Sequence, residues 1–142
     1  PDGLTSVVQA KEHAYEQAHS EIESGRKHSH WMWFIFPQLD GLGFSAMSRR
    51  YSIKSAAEGE AYLAHTILGP RLTTGAESLL SLEKKSAHEI FGSPDDMKFR
   101  SCMTLFDAVS KQEIFAEAIA AFYPDGKDRA TLAILETNQH LT

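Results

Sequence analysis

A single cysteine, Cys102, stands among the 142 residues of this chain. An intramolecular disulfide is thereby excluded, and a reducing compartment fits, so a cytoplasmic location is expected. Long hydrophobic runs are also missing: no window approaches the ~18 uncharged apolar residues of a membrane span. The first residues carry no apolar core of the secretory-signal kind. Positive charge is short too. Lys and Arg number 14 against 19 Asp and Glu, for a formal net charge of -5, the wrong sign for a general nucleic-acid binder that works by counterion release. The small basic clusters Arg26-Lys27 and Arg49-Arg50 could each meet one anionic ligand or form a solvated face. No Cys or His pairs stand at structural-zinc spacing, and His28-x-His30 alone is a weak signal, so no metal and no cofactor are expected. Internal repeats, the glycine fingerprints of nucleotide loops and the Gly-x-Ser-x-Gly elbow are all lacking.

What is present begins with Trp31-Met-Trp-Phe-Ile-Phe36, the densest apolar stretch in the chain. Buried aromatic side chains remove about 150–250 Å² each from water, so the remaining residues must cover this run or leave a large sticky patch. Read as a helix, the run is apolar on every side; read as a strand, its aromatic content also fits. Ser29 as N-cap and Pro37 as terminator favour a short helix. Hydrophobic residues at 42% and charged residues at 23% are ordinary for a globular protein, and the length suits one domain. That domain is expected over residues 1–136, with a disordered tail at 137–142.

Helix grammar dominates elsewhere. Val7, Val8, Tyr15, Ala18 and Ile22 fall near helical spacing from about Ser6 to Ser24, and Gly25 can stop that helix. Gly41-Leu-Gly43 marks a turn. Ser55-Ala-Ala-Glu58 and Ser86-Ala-His-Glu89 read as capping boxes. Gly69-Pro70 places a proline at a first helical position, and Ser93-Pro94-Asp95-Asp96 repeats the device with acids in the first turn. Ile114, Phe115, Ala118, Ile119 and Phe122 mark a further helix, and Asp128 caps a last one after the Asp125-Gly126 turn. The reading is all-α, a single compact domain of about six to eight helices wrapped around residues 31–36.

On the helix from Pro94 to about Ser110, Arg100, Thr104 and Asp107 share one stripe with Asp96 beside them, and Asp96 and Arg100 form a favourable i,i+4 pair. The plain reading is an exposed ladder of charges. Phe99, Cys102, Leu105, Phe106 and Val109 make the apolar arc. Lys98 falls inside that arc, so its ammonium must either escape along the stem or serve as a cation at a pocket mouth. Ser101 lies on a small-residue face with Ala108, suited to close packing. Cys102 reads as a core residue, since nothing nearby in sequence supplies a base. His30 could be a polar tip bonded to backbone or a catalytic base.

His30-Trp-Met-Trp-Phe-Ile-Phe-Pro-Gln38, Gly41-Leu-Gly43, Ser48-Arg-Arg-Tyr51, Tyr62-Leu-Ala-His65, Leu68-Gly-Pro-Arg-Leu72, Ile90-Phe-Gly92, Ser93-Pro-Asp-Asp96, Lys98, Arg100-Ser101 and Met103-Thr-Leu-Phe106 resemble the signature of the bacterial family catalogued as domain of unknown function 1810. The resemblance runs from about Val7 to Leu135. It implies an all-helical single domain and no particular activity. Thr66, Cys102 and Asp107 depart from the pattern, which makes Asp107 a poor shared catalytic acid, whereas Asp96 and Lys98 match it. The label calpastatin sometimes attached to this family does not fit: that inhibitor is a disordered, repeated chain, and this sequence has an aromatic core and no repeat. A fainter similarity is to the NADAR glycosidases, which act on ADP-ribose-like N-glycosides; it is one of architecture and not of matched residues.

Two functions follow as expectations. The first is a small-ligand pocket, for a nucleotide or ADP-ribose-like compound, between the 28–38 segment and the start of the Pro94 helix. Trp33, Gln38, Arg49, Tyr51, Lys98 and Arg100 would bind, and in a hydrolytic version Asp96 and His30 would be catalytic, cleaving an N-glycosidic bond. The second is a non-catalytic protein-interaction module in which the same motifs are core and caps. Convergence of Asp96, Lys98 and His30 on one concavity would favour the first, and scatter the second.

Overall fold

The computed structural model describes the backbone of residues 3–43, 45–82 and 84–141, and their side chains outside 3–11, 13, 47 and 138–141. These residues form nine helices: α1 (Gly3–Ser24), α2 (Met32–Ile35), α3 (Ala46–Tyr51), α4 (Ala56–Ala64), α5 (Leu68–Leu80), α6 (Ala87–Phe91), α7 (Asp95–Val109), α8 (Glu113–Phe122) and α9 (Arg129–Leu141). An isolated parallel bridge joins Leu39 to Ile53, and no strand occurs among the described residues. Val7, Val8 and Phe44 lie outside the described side chains. Helical backbone continues to Leu141, across positions expected to form a tail.

The all-helical reading holds, and its centre is where the aromatic run predicts. Trp31, Met32, Ile35 and Phe36 are each no more than 2% exposed. Phe36 meets Phe99 of α7 edge-on at 4.9 Å, and Phe91 stands 5.1 Å from Phe99, a geometry that contributes about 0.5–1.5 kcal/mol per pair beyond area burial. Helix α7 is the central strut, packing against α4, α6, α8 and α9. The run is not buried on every side, however. Trp33 and Phe34 are only half-buried, because the four residues of α2 make a single turn, which the rest of the chain does not cover on every side.

Capping follows the sequence in part. The Ser86–Glu89 box is complete, Ser55 accepts the Glu58 N–H, and Asp128 accepts from Thr131. Gly25 stops α1 with φ at 84°, a conformation that glycine adopts without penalty. Three expected caps are replaced. Ser29 does not cap α2, because Glu21 takes both its hydroxyl and its amide. Pro70 is the third residue of α5, not the first; His65 Nδ1 accepts the Ile67 and Leu68 N–H groups and starts the helix earlier. A Cβ on Gly69 would sit 2.1 Å from the Leu63 carbonyl oxygen, so only glycine allows α4 and α5 to meet there. Finally, α7 begins at Asp95, and Ser93 donates its hydroxyl to the Asp96 carboxylate (3.2 Å), which itself accepts the Met97 N–H (2.9 Å).

The polar stripe of α7 is covered rather than solvated. The chain returns after α8 and lays residues 123–128 over it, and those backbone groups need partners away from water. Arg100 donates from Nε to the Gly126 carbonyl at 2.8 Å and from Nη2 to that of Lys127 at 3.3 Å. Thr104 is fully buried and accepts the Asp128 N–H at 2.9 Å, while Asp107 pairs with Lys127 at 3.0 Å. The expected Asp96–Arg100 pair therefore does not form. Ser101 is buried and donates to the Met97 carbonyl, whereas Ala108 is exposed, so the two do not share a packed seam.

Candidate functional site

Two carboxylates organise the surroundings of the aromatic run. The first is Glu21, near the end of α1. It accepts the His28 N–H (2.6 Å), the Ser29 N–H (2.9 Å), the Ser29 hydroxyl (2.5 Å) and the Trp31 indole N–H (2.8 Å). Burial raises its pKa, but the Ser29 hydroxyl, the two amides and the indole outweigh this and bring it down to about 2. Four neutral donors on one anion make a clasp that fixes the 25–31 loop and delivers Trp31 to the core.

The second is Asp95, in the first turn of α7, which is shared by two lysines. Lys27 Nζ lies 2.7 Å from Oδ2, and Lys98 Nζ lies 3.4 Å from Oδ1. Each lysine also stands over one tryptophan: Lys27 is 5.3 Å from the Trp31 ring centre and Lys98 is 5.1 Å from that of Trp33. Two cations on one anion leave an excess of one positive charge, and Lys27 has only 7% of its side chain exposed against 24% for Lys98. The Lys98 ammonium thus finds both a carboxylate and a ring face at the edge of a depression.

That depression is walled by Trp33, Gln38, Tyr51 and Lys98, with Ser48 and Ser52 beside them, and has a volume of about 10 Å³, room for roughly one water. Helix α2 supplies Trp33, α7 supplies Lys98, and Tyr51 closes α3 with its ring edge-on to Phe34 at 5.0 Å. Gln38 is held by backbone pairing, its carbonyl accepting the Ile53 N–H at 2.8 Å. Four of the residues expected to bind therefore come together.

The others do not join them. Arg49 is exposed on α3, and Arg100 is occupied by the 126–127 carbonyls. His30 is exposed. Asp96 faces a different concavity with His88, Arg100 and Tyr123; its Oδ2 is 3.4 Å from His88 Nδ1, and its backbone carbonyl accepts the Tyr123 hydroxyl at 2.5 Å. Burial, then the Asp96 charge, pushes the Tyr123 pKa up. Burial likewise pushes the Cys102 thiol well up, away from the thiolate that a nucleophile requires. Among the described residues no three His, Cys, Asp or Glu side chains gather as a metal site demands, and no helix is long and apolar enough to cross a membrane.

Sequence reasoning missed Glu21, Lys27 and Asp95. Lys27 sits in a basic dipeptide that looked like a solvated face, and Asp95 looked like an ordinary first-turn acid. No local pattern announces that residues so far apart in the chain share one ion cluster.

Fold and site together define an all-helical domain that sets two lysines and two tryptophans around one carboxylate, one lysine–tryptophan pair in the core and the other at the edge of a depression. The chain belongs to the family described as protein of unknown function (DUF1810), whose sequence model matches residues 1–135. It is similar to the conserved hypothetical protein Rv1873 from Mycobacterium tuberculosis, known from a crystal structure. The two are 43% identical and superpose with a TM-score of 0.91, over 94% of this chain and 96% of that one. No curated protein matches this chain.

Proposed function

We propose that this domain binds a small polar ligand, without chemistry, across the mouth of the depression walled by Trp33, Gln38, Tyr51 and Lys98. The observation that carries the reading is the placement of the Lys98 ammonium over the Trp33 ring, beside Gln38 and Tyr51, with its ion-pair partner Asp95 outside the described residues that wall the depression. Lys98 would take an anionic group such as a phosphate. Trp33 or Tyr51 would stack a base or sugar face, and Gln38 would orient it by its amide. The class favoured is a nucleotide or ADP-ribose-like compound, met in the cytoplasm. With space for about one water inside, the ligand would lie over the rim instead of being enclosed.

N-glycosidic cleavage draws less support. It needs a carboxylate beside the reacting carbon, and Asp96 and His30 both stand apart from this depression. The acid beside Lys98 is Asp95, so Asp95→Asn is the variant to compare if any product forms. The scatter of Asp96, Lys98 and His30 counts toward the interaction-module reading, which would leave the rim without a small ligand.

The test is a thermal-shift screen against nucleotides, ADP-ribose and NAD, followed by tryptophan fluorescence. A ligand at ~100 times its dissociation constant should add about 2.7 kcal/mol. Lys98→Met should abolish that gain while the protein stays folded. A gain that survives Lys98→Met would retire this site, and a cleaved product would overturn the non-catalytic reading.

A further inference from the structure

On the other side of the Asp95 bridge lies a second, larger depression of about 490 Å³, walled by Arg26, Lys27, Lys85 and His88 over Ile90 and Phe91. In a chain of net charge -5, three cations and a histidine around one concavity stand out. Their charges are unequally compensated. Lys27 is paired to Asp95 at 2.7 Å. Glu89, the acid of this wall, accepts the Ser86 N–H at 2.8 Å within its own capping box. Lys85 donates to the Gly25 carbonyl at 3.1 Å, a neutral acceptor that fixes the ammonium, and Glu89 is the carboxylate whose charge reaches it. Arg26 is exposed, and among the described residues no carboxylate stands within 4.0 Å of it or of Lys85.

The place is built and not merely decorated with lysines. A Cβ on Gly25 would meet Lys85 Nζ at 2.7 Å, so the ammonium sits close against the loop. The Lys27 N–H donates to the Ile90 carbonyl at 2.7 Å, which ties that loop to α6. The 25–27 loop is thereby joined to the 85–90 segment at two points.

We infer that this depression is an anion site for the phosphate or pyrophosphate group of a small molecule. Arg26 would supply a planar donor fork and Lys85 a point charge, the two modes by which proteins hold phosphate oxygens. The volume is that of a small-metabolite pocket, for which roughly 300–1,000 Å³ is usual. The inference does not depend on a ligand at the Trp33 rim.

Sodium pyrophosphate, titrated into the intact protein at constant ionic strength and followed by calorimetry, tests it. Saturable binding is expected, weakened about tenfold or more by Arg26→Ala and by Lys85→Ala, and unchanged by Lys84→Ala. Because Lys85→Ala also removes the bond to Gly25, Arg26→Ala is the decisive variant, its side chain being exposed. No saturation by about 10 mM, an affinity too weak to matter for a specific site, would overturn the inference. So would an unchanged affinity in Arg26→Ala. Loss of pyrophosphate binding in Lys98→Met alone would assign it to the Trp33 rim instead.

Discussion

Trp31 and Trp33 stand two residues apart, and each lies under a lysine that reaches for the same carboxylate, yet they play different parts. Trp31 is 1% exposed, packs against Phe36 and Phe91, and gives its indole N–H to Glu21. Its lysine is sealed in as well, at 2.7 Å from Asp95. Trp33 is half-buried at the rim of a depression, and its lysine is looser, at 3.4 Å from Asp95. Trp31 precedes the helix as its N-cap while Trp33 lies within its single turn, so one ring enters the core and the other is left at the surface. Chemistry alike in type becomes scaffold where every partner is enclosed, and becomes available where one face is open.

The hardest test of this contrast is truncation. Trp31→Ala should cost about 3–5 kcal/mol in urea unfolding, the range for a fully buried aromatic, while Trp33→Ala should cost well under half of that; equal losses would erase the distinction. Next come the two lysines. Lys27→Met is expected to lose about 1–3 kcal/mol, because Asp95 is left with its weaker partner in a largely buried place, whereas Lys98→Met should stay within ~1 kcal/mol. A double-mutant cycle of each with Asp95→Asn separates pairing from packing.

Glu21 sharpens the comparison from the Trp31 side. Glu21→Gln should cost about 1–2 kcal/mol near neutral pH, since a strong acceptor of four bonds is replaced by a weaker one. Its folded pKa of about 2 lies below the ordinary 4.5. The clasp therefore contributes fully above pH 4.5 and is lost as pH falls toward 2. Acid titration of stability should be shallower in the Gln variant across that window, and parallel curves would remove the clasp from the account. The smallest effect belongs to Arg49→Ala, which should change stability by less than ~0.5 kcal/mol, as for an exposed side chain with no special contact. A larger loss of stability, or any loss of ligand-induced stabilisation, would bring Arg49 back to the rim.

Residues near one another in the chain were enough to set the helical class, the aromatic run as centre and the helix ends at Gly25, Ser86 and Asp128. Those are matters of local propensity, capping and apolar spacing, which are written within a few residues of where they act. Tertiary structure alone decided which acid meets which base. Asp96 turned to Ser93 and His88 while Asp95 took Lys27 and Lys98, and Arg100 was claimed by the returning 126–127 backbone. Helical arithmetic places a side chain around its own axis, but its partner arrives from another helix, and only packing of the whole chain fixes that meeting.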